Sequence, residues 1–268
     1  MQAKEEKSAT ALRLGDFTTT VEVVYISGLA IGSGVVSAVV ALALLRLIGF
    51  FTNLFFYHRI AAALVSPSGN ALGWTEVLVP TGAAFIVGFM ARYGSERIRG
   101  HGIPEAIESI LVCGSRIEPK VAILKPLSSA ISIGSGGPFG AEGPIIMTGG
   151  AFGSMIAQMF KLSSTERRTL LVAGAAGGMS ATFFSPLAAF LLAVELLLFE
   201  WKPRSAVPVG LASAAAACVR FYIIGPGPLF PVPQHPAFIG AGGLLACIPV
   251  RHPGRHPVYA AHRGRLRG

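Results

Sequence analysis

The sequence predicts an all-α polytopic membrane protein. Hydrophobic residues make up 52% of the 268 residues and charged residues only 13%, whereas soluble domains carry about 25% charged residues. The period-two alternation of a membrane β-barrel is missing, so helices are expected. A soluble helical protein with a very apolar core is the alternative. Several uncharged stretches reach the roughly 20 residues that cross a bilayer, among them Val23–Leu45, Gly143–Phe160, Thr169–Val194 and Phe221–Val250.

The first apolar stretch is predicted to be a spanning helix over Val21–Leu47. It is too long for the hydrophobic region of a secretion signal, and no clear small-residue cleavage site precedes a polar segment. Lys4, Lys7 and Arg13 lie ahead of it, and positively charged flanks favour the cytoplasmic side. Residues 1–20 are therefore predicted to form a cytoplasmic N-terminal tail.

The second spanning helix is predicted over Trp74–Tyr93. An aromatic-rich interfacial stretch, Phe50–Ser68, lies between it and the first span. Three arginines lie at or just after its carboxyl end, and the same charge rule predicts that this end is cytoplasmic. These are Arg92, Arg97 and Arg99.

The remaining elements are predicted to be short or broken helices within one transmembrane domain, residues 21–250. Pro and Gly interrupt the apolar sequence repeatedly, a pattern typical of transporters and channels. A further helix is expected to begin near Phe238. The others are predicted over Glu105–Cys113, Pro119–Ile133, Glu142–Phe160, Leu170–Gly178, Leu187–Trp201 and Pro203–Tyr222.

The last residues, 251–268, form a basic tail rich in Pro and His. The apolar segment that begins near Phe238 runs directly into these basic and proline residues, and such a sequence cannot form a membrane-spanning helix. The hypothesis is a shift of reading frame or a premature end near residue 250. The alternative is a genuine disordered tail that lies against anionic lipid head groups.

Charge and cysteine usage exclude several classes of function. The net charge is +9, but no basic stripe is interleaved with aromatics, so no nucleic-acid partner is expected. Three cysteines lie in apolar surroundings without metal-ligand spacing, so neither a metal site nor a disulfide framework is expected. No catalytic Ser/His pair, His-Glu-x-x-His motif or Walker loop is present. The sequence therefore predicts neither an enzyme nor a cofactor.

The first of two glycine-rich breaks lies at residues 100–105, Gly-His-Gly-Ile-Pro-Glu. Gly100 and Gly102 allow a tight turn and close approach to a ligand, and Pro104 suits the first turn of a helix. The N–H groups around Gly102 and Ile103 are expected to be free to face an anion. His101 is expected to lie in the loop beside the ion path. An ordinary loop with a capped helix is the alternative.

The second break lies at residues 140–144, Gly-Ala-Glu-Gly-Pro. Glu142 stands at a helix start in a chain that otherwise avoids charge, and an ionisable residue at membrane depth indicates a functional site. The helix N-terminus favours its carboxylate. The carboxylate could therefore occupy the place of an anion when ionised and swing out when protonated. A carboxylate cap exposed at the interface is the alternative.

One further acid, Glu195, stands alone in a long apolar segment. It is a candidate vestibule acid that faces water. A buried hydrogen bond with a structural role fits the sequence equally well.

Three motifs of this chain resemble those of the CLC family of chloride channels and chloride/proton antiporters. Residues 100–105 resemble the family's Gly-Ser-Gly-Ile-Pro-Glu motif, and residues 140–144 its Gly-Lys/Arg-Glu-Gly-Pro motif. Phe184–Glu195 resembles a third stretch, Asn-Ala-Pro-Leu-Ala-Gly through Ala-Leu-Glu. The order and spacing match, and the resemblance covers Val21–Pro249.

This resemblance implies the first half of an inverted-repeat helical fold with broken helices, that is, the first repeat and the start of the second. It also implies a homodimer in which each subunit has its own anion path. By position, Glu142 matches the family's gating, proton-accepting glutamate. The residues implied to bind the anion are His101, Gly102, Ile103, Pro104, Ala141, Glu142 and Gly143.

The chain departs from the family pattern at informative positions. His101 replaces the usual Ser, Ala141 replaces a basic residue, and Leu196 stands where antiporters often carry a second acid. Channel and antiporter therefore both stay open. The motifs of the family's second repeat have no counterpart before residue 268, so half of the ion site is expected to be absent.

The sequence thus predicts anion transport of the voltage- or proton-gated type, with chloride or a similar anion as substrate and no cofactor. The expected partners are protons, the lipid bilayer and a second copy of the chain. The expected location is a bacterial-type cytoplasmic (inner) membrane, which the chain crosses several times. The alternative is a truncated non-transporting membrane protein, either an assembly partner or a pseudogene product.

Overall fold

The structure, a computed structural model, describes residues 21–225 and residue 227. Regular structure in this part of the chain is helical, without strands. Short 3₁₀ turns at Pro67–Gly69, Gly73–Val77 and Glu96–Ile98 join the longer elements. The α-helices are α1 (Val21–Tyr57), α2 (Leu78–Tyr93), α3 (Ile103–Leu111), α4 (Pro119–Gly134), α5 (Glu142–Met159), α6 (Ser164–Phe183), α7 (Pro186–Ala193) and α8 (Pro203–Ile223).

Three predicted segments lie outside the described residues. They are the tail at residues 1–20, the helix expected to begin near Phe238 and the basic tail at residues 251–268. The remaining predicted helices all have a counterpart in the structure, although some of their ends differ.

Helix α6 lies at the centre of the packed helices. From Arg167 to Thr182 every residue except Arg168 is buried. The helix contacts α1, α5, α7 and α8. Its many alanines and glycines allow neighbouring backbones to approach closely, which is how membrane helices gain packing contacts.

Helices α5 and α6 cross at a pair of glycines. A Cβ on Gly149 would lie 3.1 Å from the carbonyl carbon of Gly174, and a Cβ on Gly174 would lie 3.0 Å from the carbonyl carbon of Gly149. The same position on Gly174 is 3.1 Å from the hydroxyl oxygen of Ser33 in α1. The crossing therefore brings three helices together, and a larger residue at Gly149 or Gly174 would force their backbones apart.

Three helices among the described residues are long and apolar enough to cross a bilayer: Glu22–Tyr57, Gly73–Tyr93 and Pro203–Ile223. The second agrees with the predicted span Trp74–Tyr93, and the first contains the predicted span Val21–Leu47 but is longer. Helix α1 has 37 residues, or about 55 Å at 1.5 Å per residue. This exceeds the roughly 30 Å hydrocarbon core, so a span of this length has to tilt or extend beyond the core.

The end of α1 was predicted wrongly. The helix runs to Tyr57 and not to Leu47, so the first part of the predicted interfacial stretch is helical. Gly49 follows the predicted end, but it is packed inside the helix, where a Cβ would lie 2.9 Å from the carbonyl carbon of Ala63. No Pro or Gly interrupts the sequence between Phe50 and Tyr57, and the rings of Phe51 and Phe55 stack at 5.7 Å between centroids. The helix therefore continues to Tyr57.

Two further helices differ from the prediction in their length or type. Helix α6 begins earlier than Leu170, at a capping box between Ser163 and Glu166, and continues past its glycines because they are packed. The predicted helix Leu187–Trp201 begins as α7 but changes at Val194–Leu198 into one turn of π-helix. It ends there because Phe199 takes a left-handed conformation, with φ of 56°.

Candidate functional site

The two glycine-rich breaks are in direct backbone contact. Gly102 and Gly143 are both buried. A Cβ on Gly102 would overlap the carbonyl group of Gly143, 2.6 Å from its carbon, and a Cβ on Gly143 would lie 2.8 Å from the carbonyl carbon of His101. The first residues of α3 and α5 therefore start from one small region, although 39 residues separate Ile103 from Glu142 along the chain.

The start of α3 is shaped by Gly102 and Glu105. Gly102 has φ of 111°, a conformation that residues with a side chain rarely adopt. Its N–H donates to the Glu105 carboxylate at 2.7 Å, so the expectation that this N–H is free was wrong: a helix-capping acid uses it. Pro104 has no N–H to offer. The N–H of Ile103, at the first helical position, has no acceptor within the helix.

Lys125 was not among the predicted site residues, but its side chain binds the backbone at the start of the first break. This α4 residue is only 1% exposed. Its ammonium group donates to the carbonyl oxygens of Ile98 at 3.0 Å and Gly100 at 2.9 Å. The negative charge of the Glu105 carboxylate attracts this ammonium group. The signal was available in the sequence, because Lys125 is a charged residue in the middle of an otherwise apolar helix segment, and such a residue in a membrane protein indicates a functional role.

The start of α5 presents Glu142 to the outside of the described fold. Ala141 is the N-cap and accepts the N–H of Ile145 at 3.0 Å. Glu142 is exposed, and its carboxylate bends back over Gly140, where a Cβ would lie 2.8 Å from the carboxyl carbon. Gly143 and Pro144 are buried behind it. The acid is therefore accessible at the surface of the described residues, while the turn beneath it is buried.

His101, in the first break, lies against the second break. The residue is exposed, but its Nδ1 would be 2.5 Å from a Cβ on Gly143. The imidazole therefore rests against the first turn of α5. The backbone on either side of His101 is fixed by two hydrogen bonds. Lys125 donates to the Gly100 carbonyl oxygen, and the Gly102 N–H donates to the Glu105 carboxylate.

Glu195 is not among the residues that the two breaks bring together. It lies in the π-turn Val194–Leu198, which contacts α3, and its side chain is exposed. This exposure disagrees with the buried hydrogen bond that the sequence left open. A π-turn within a helix often marks a functional site, and the sequence carries no local signal for it.

Two helices begin in this region, and each helix start carries about half a positive charge, which attracts anions. At the start of α3 the Glu105 carboxylate accepts the Gly102 N–H and offsets part of the positive charge of Lys125. Among the described residues, no group of three or more His, Cys, Asp or Glu is arranged to hold a metal ion. The site can therefore hold an anion through backbone N–H groups, with Glu142 as a neighbouring carboxylate.

Known proteins match this chain in sequence. The family model described as voltage gated chloride channel matches residues 82–248. The H(+)/Cl(−) exchange transporter ClcA of Vibrio cholerae is 33% identical over 60% of this chain and 35% of its own length. The transporter of the same name from Citrobacter koseri is 32% identical over 64% of this chain and 35% of its own length. The chain thus spans about a third of these relatives.

A solved structure shows the same fold. It is the crystal structure of a slow cyanobacterial Cl⁻/H⁺ antiporter, which matches with a TM-score of 0.59 at 20% identity. The match covers 80% of this chain and 49% of the antiporter chain. Together with the apolar spans, these similarities identify the chain as an integral membrane protein of helical fold.

Proposed function

This chain belongs to the voltage gated chloride channel family, and from that premise we propose that it carries out passive anion transport across a membrane, with chloride as the substrate. The observation that carries the proposal is the backbone contact between Gly102 and Gly143. Because two helix starts meet there, their positive ends act on one ion. The proposal assigns the chain transport and not an enzymatic reaction, and it needs no cofactor.

The anion site in this proposal consists of the two helix starts. Backbone N–H groups near Ile103 and Glu142 face the ion, and Gly102 and Gly143 allow its approach. Lys125 holds the loop in place and adds positive charge. The residues proposed to surround the anion are His101, Gly102, Ile103, Pro104, Ala141, Glu142 and Gly143.

Glu142 acts as the gate. When ionised, its carboxylate competes with chloride for the helix starts, since both are anions. When protonated, it no longer competes, and the ion enters. The exposure of this side chain above a buried turn supports such a movement. Anion flux is therefore expected to rise as the pH falls. Glu195 is proposed as an acid that faces the water of a vestibule.

The proposed setting is a bacterial-type inner membrane, which the chain crosses several times as part of a homodimer. Chloride and protons are the proposed small partners. Relatives named as H(+)/Cl(−) exchangers support proton involvement. Leu196, at a position where such exchangers often have an acid, leaves the choice between channel and antiporter to experiment.

Chloride efflux from liposomes that contain the purified chain tests the proposal. The measurement is made over a pH series that spans the titration of a carboxyl group. Glu142→Ala is expected to retain flux but to lose its pH dependence. Glu118→Ala is the matched control, because Glu118 is also an exposed acid at a helix start, and it should behave like the unsubstituted chain. Absence of flux at every pH would refute transport by this chain, and unchanged pH dependence in Glu142→Ala would refute the gate.

A further inference from the structure

A turn with buried polar contacts follows the carboxyl end of α3. Gly114 and Ser115 are both left-handed, with φ of 57° and 58°. The Ser154 hydroxyl donates to the carbonyl oxygen of Ser115 at 2.7 Å and accepts the N–H of Ile117 at 3.2 Å. The structure thus fixes the end of α3 opposite to the proposed anion site.

Arg167, in α6, brings a positive charge to this turn. The residue is 9% exposed. Its Nη1 donates to the carbonyl oxygen of Gly114 at 2.9 Å and its Nη2 to that of Leu162 at 3.0 Å. Within residues 21–225 no acid lies within salt-bridge distance of Arg167. A carboxylate therefore does not neutralise its charge in the described part of the chain.

The position of this charge matters for the other end of α3. A helix carries about half a negative charge at its carboxyl end, which offsets the attraction that its amino end exerts on an anion. Helix α3 has nine residues, about 14 Å at 1.5 Å each, so this negative end lies close enough to act on the ion in a low-dielectric interior.

We propose that Arg167 is the counter-charge of α3: by neutralising the carboxyl end of this helix, it strengthens anion binding at the amino end. Arg167 does not touch the ion in this proposal, so it is a positioning residue that acts through the helix. The inference rests on the proposed function, since it requires an anion at the junction of Gly102 and Gly143. A purely structural clamp would depend on the hydrogen bonds of Arg167 and not on its charge.

Gly114 allows a test that leaves Arg167 in place. A Cβ at this position would meet only the Ser164 hydroxyl oxygen, at 3.8 Å, which is ordinary contact. Asp and Asn tolerate the left-handed conformation better than other residues with a side chain. Gly114→Asp adds a carboxylate to the residue whose carbonyl oxygen the Arg167 guanidinium binds, and Gly114→Asn is its neutral control of the same shape. The two variants differ in charge alone.

The measurement is the chloride Kd of the purified 268-residue chain by isothermal titration calorimetry. Arg167 binds the carbonyl oxygen of Gly114, three residues beyond the last residue of α3, so its charge is farther from the ion than the length of the helix. At an effective dielectric constant of about 20 and a separation of roughly 18–25 Å, neutralising this charge is expected to weaken binding about three- to fivefold. Gly114→Asp should therefore bind chloride about three- to fivefold more weakly than Gly114→Asn. Equal Kd values for the two variants would overturn the proposal.

Substitutions of Arg167 and Ser154 keep the test decisive if a Gly114 variant does not fold. Arg167→Gln should weaken binding about three- to fivefold, whereas Arg167→Lys, which keeps the charge, should stay within about twofold. Ser154→Ala removes uncharged contacts of the same turn and should also stay within about twofold. If Ser154→Ala and Arg167→Lys lose as much affinity as Arg167→Gln, the turn is a structural clamp and the proposal is wrong. If the unsubstituted chain shows no saturable chloride binding, the proposed anion site fails, and this inference fails with it.

Discussion

Gly102 satisfies three requirements at once. Its φ of 111° excludes most side chains, its Cα faces the Gly143 carbonyl, and its N–H is bound by Glu105. Each requirement alone would be met by a small residue or a modest shift of a neighbour. Together they explain why the loop before α3 contains glycine here, since any Cβ would push the two helix starts apart.

Gly102→Ala is therefore expected to damage both stability and anion binding. The left-handed strain and the overlap with Gly143 should lower the free energy of unfolding by about 2 kcal/mol or more. Chloride binding should be lost with the junction. Thermal unfolding in detergent and calorimetric titration with chloride measure the two effects.

The control for this substitution is Gly28→Ala in α1. Gly28 is exposed, and nothing lies within 4 Å of its Cβ position, so alanine should be neutral or should stabilise the helix by about 0.5–1 kcal/mol. Equal unfolding midpoints for Gly102→Ala and Gly28→Ala would contradict the packing argument.

Lys125 is the second residue whose environment predicts a large effect. Lys125→Met leaves the carbonyl oxygens of Ile98 and Gly100 without their buried donor, which should cost about 2 kcal/mol of unfolding free energy. It also removes a positive charge near the ion, so chloride affinity should fall. Lys120→Met, at an exposed position in the first turn of the same helix, should change neither quantity. If the two lysine variants have the same unfolding midpoint, Lys125 does not hold the break.

At the scale of elements, the sequence predicts a helix start well where a proline or an acid marks it. Pro119, Glu142 and Pro203 mark starts in the sequence and in the structure, because proline and capping signals are local. The extent of α6 is not local. Its glycines weaken an isolated helix, but they are buried between neighbouring helices, and the packing outweighs the weak propensity.

The π-turn at Val194–Leu198 is a second feature that could not be predicted from the sequence, for a different reason. Glu and Leu, which make up four of the five residues Val-Glu-Leu-Leu-Leu, are good helix formers, and nothing in the pattern distinguishes an α-helix from a π-helix. The π-turn packs against α3 and α6 in the fold. Tertiary contacts therefore accompany a change that the sequence alone does not signal.

The crossing of α5 and α6 supplies a prediction at this scale. Gly149→Ala would place a Cβ against the Gly174 carbonyl, 3.1 Å from its carbon, and should cost about 1–3 kcal/mol because the helices have to separate. Gly88→Ala in α2, where nothing lies within 4 Å, is the control and should not destabilise. Chemical or thermal unfolding of both variants decides the matter: a loss in Gly88→Ala as large as that in Gly149→Ala would refute the close crossing.

At the scale of the whole molecule, the sequence predicts the parts of the candidate site but not its completed geometry. The two breaks are visible because Gly and Pro mark them locally. Their contact across 39 residues of sequence was implied by the family resemblance and not by any spacing. The clamp by Lys125 required the packing of α4 beneath the loop, and the capture of the Gly102 N–H by Glu105 required the orientation of one side chain.

The orientation of the chain in the membrane provides the last prediction. If α1 and α2 each cross the bilayer once, and if the arginine-rich end of α2 is cytoplasmic, the loop between the two helices faces outward and the loop after α2 faces inward. Cysteine labelling tests this in a chain whose native cysteines, Cys113, Cys218 and Cys247, are replaced by serine. Ser68 and Arg99 are both exposed and lie in the two loops.

A maleimide that cannot cross the membrane should react with Ser68→Cys in intact spheroplasts. It should react with Arg99→Cys only after the membrane is made permeable. The two positions serve as controls for each other, since both side chains are accessible in the fold and only the membrane distinguishes them. Labelling of both from the outside would mean that α2 does not cross. Labelling of Arg99→Cys alone from the outside would show that the topology is inverted.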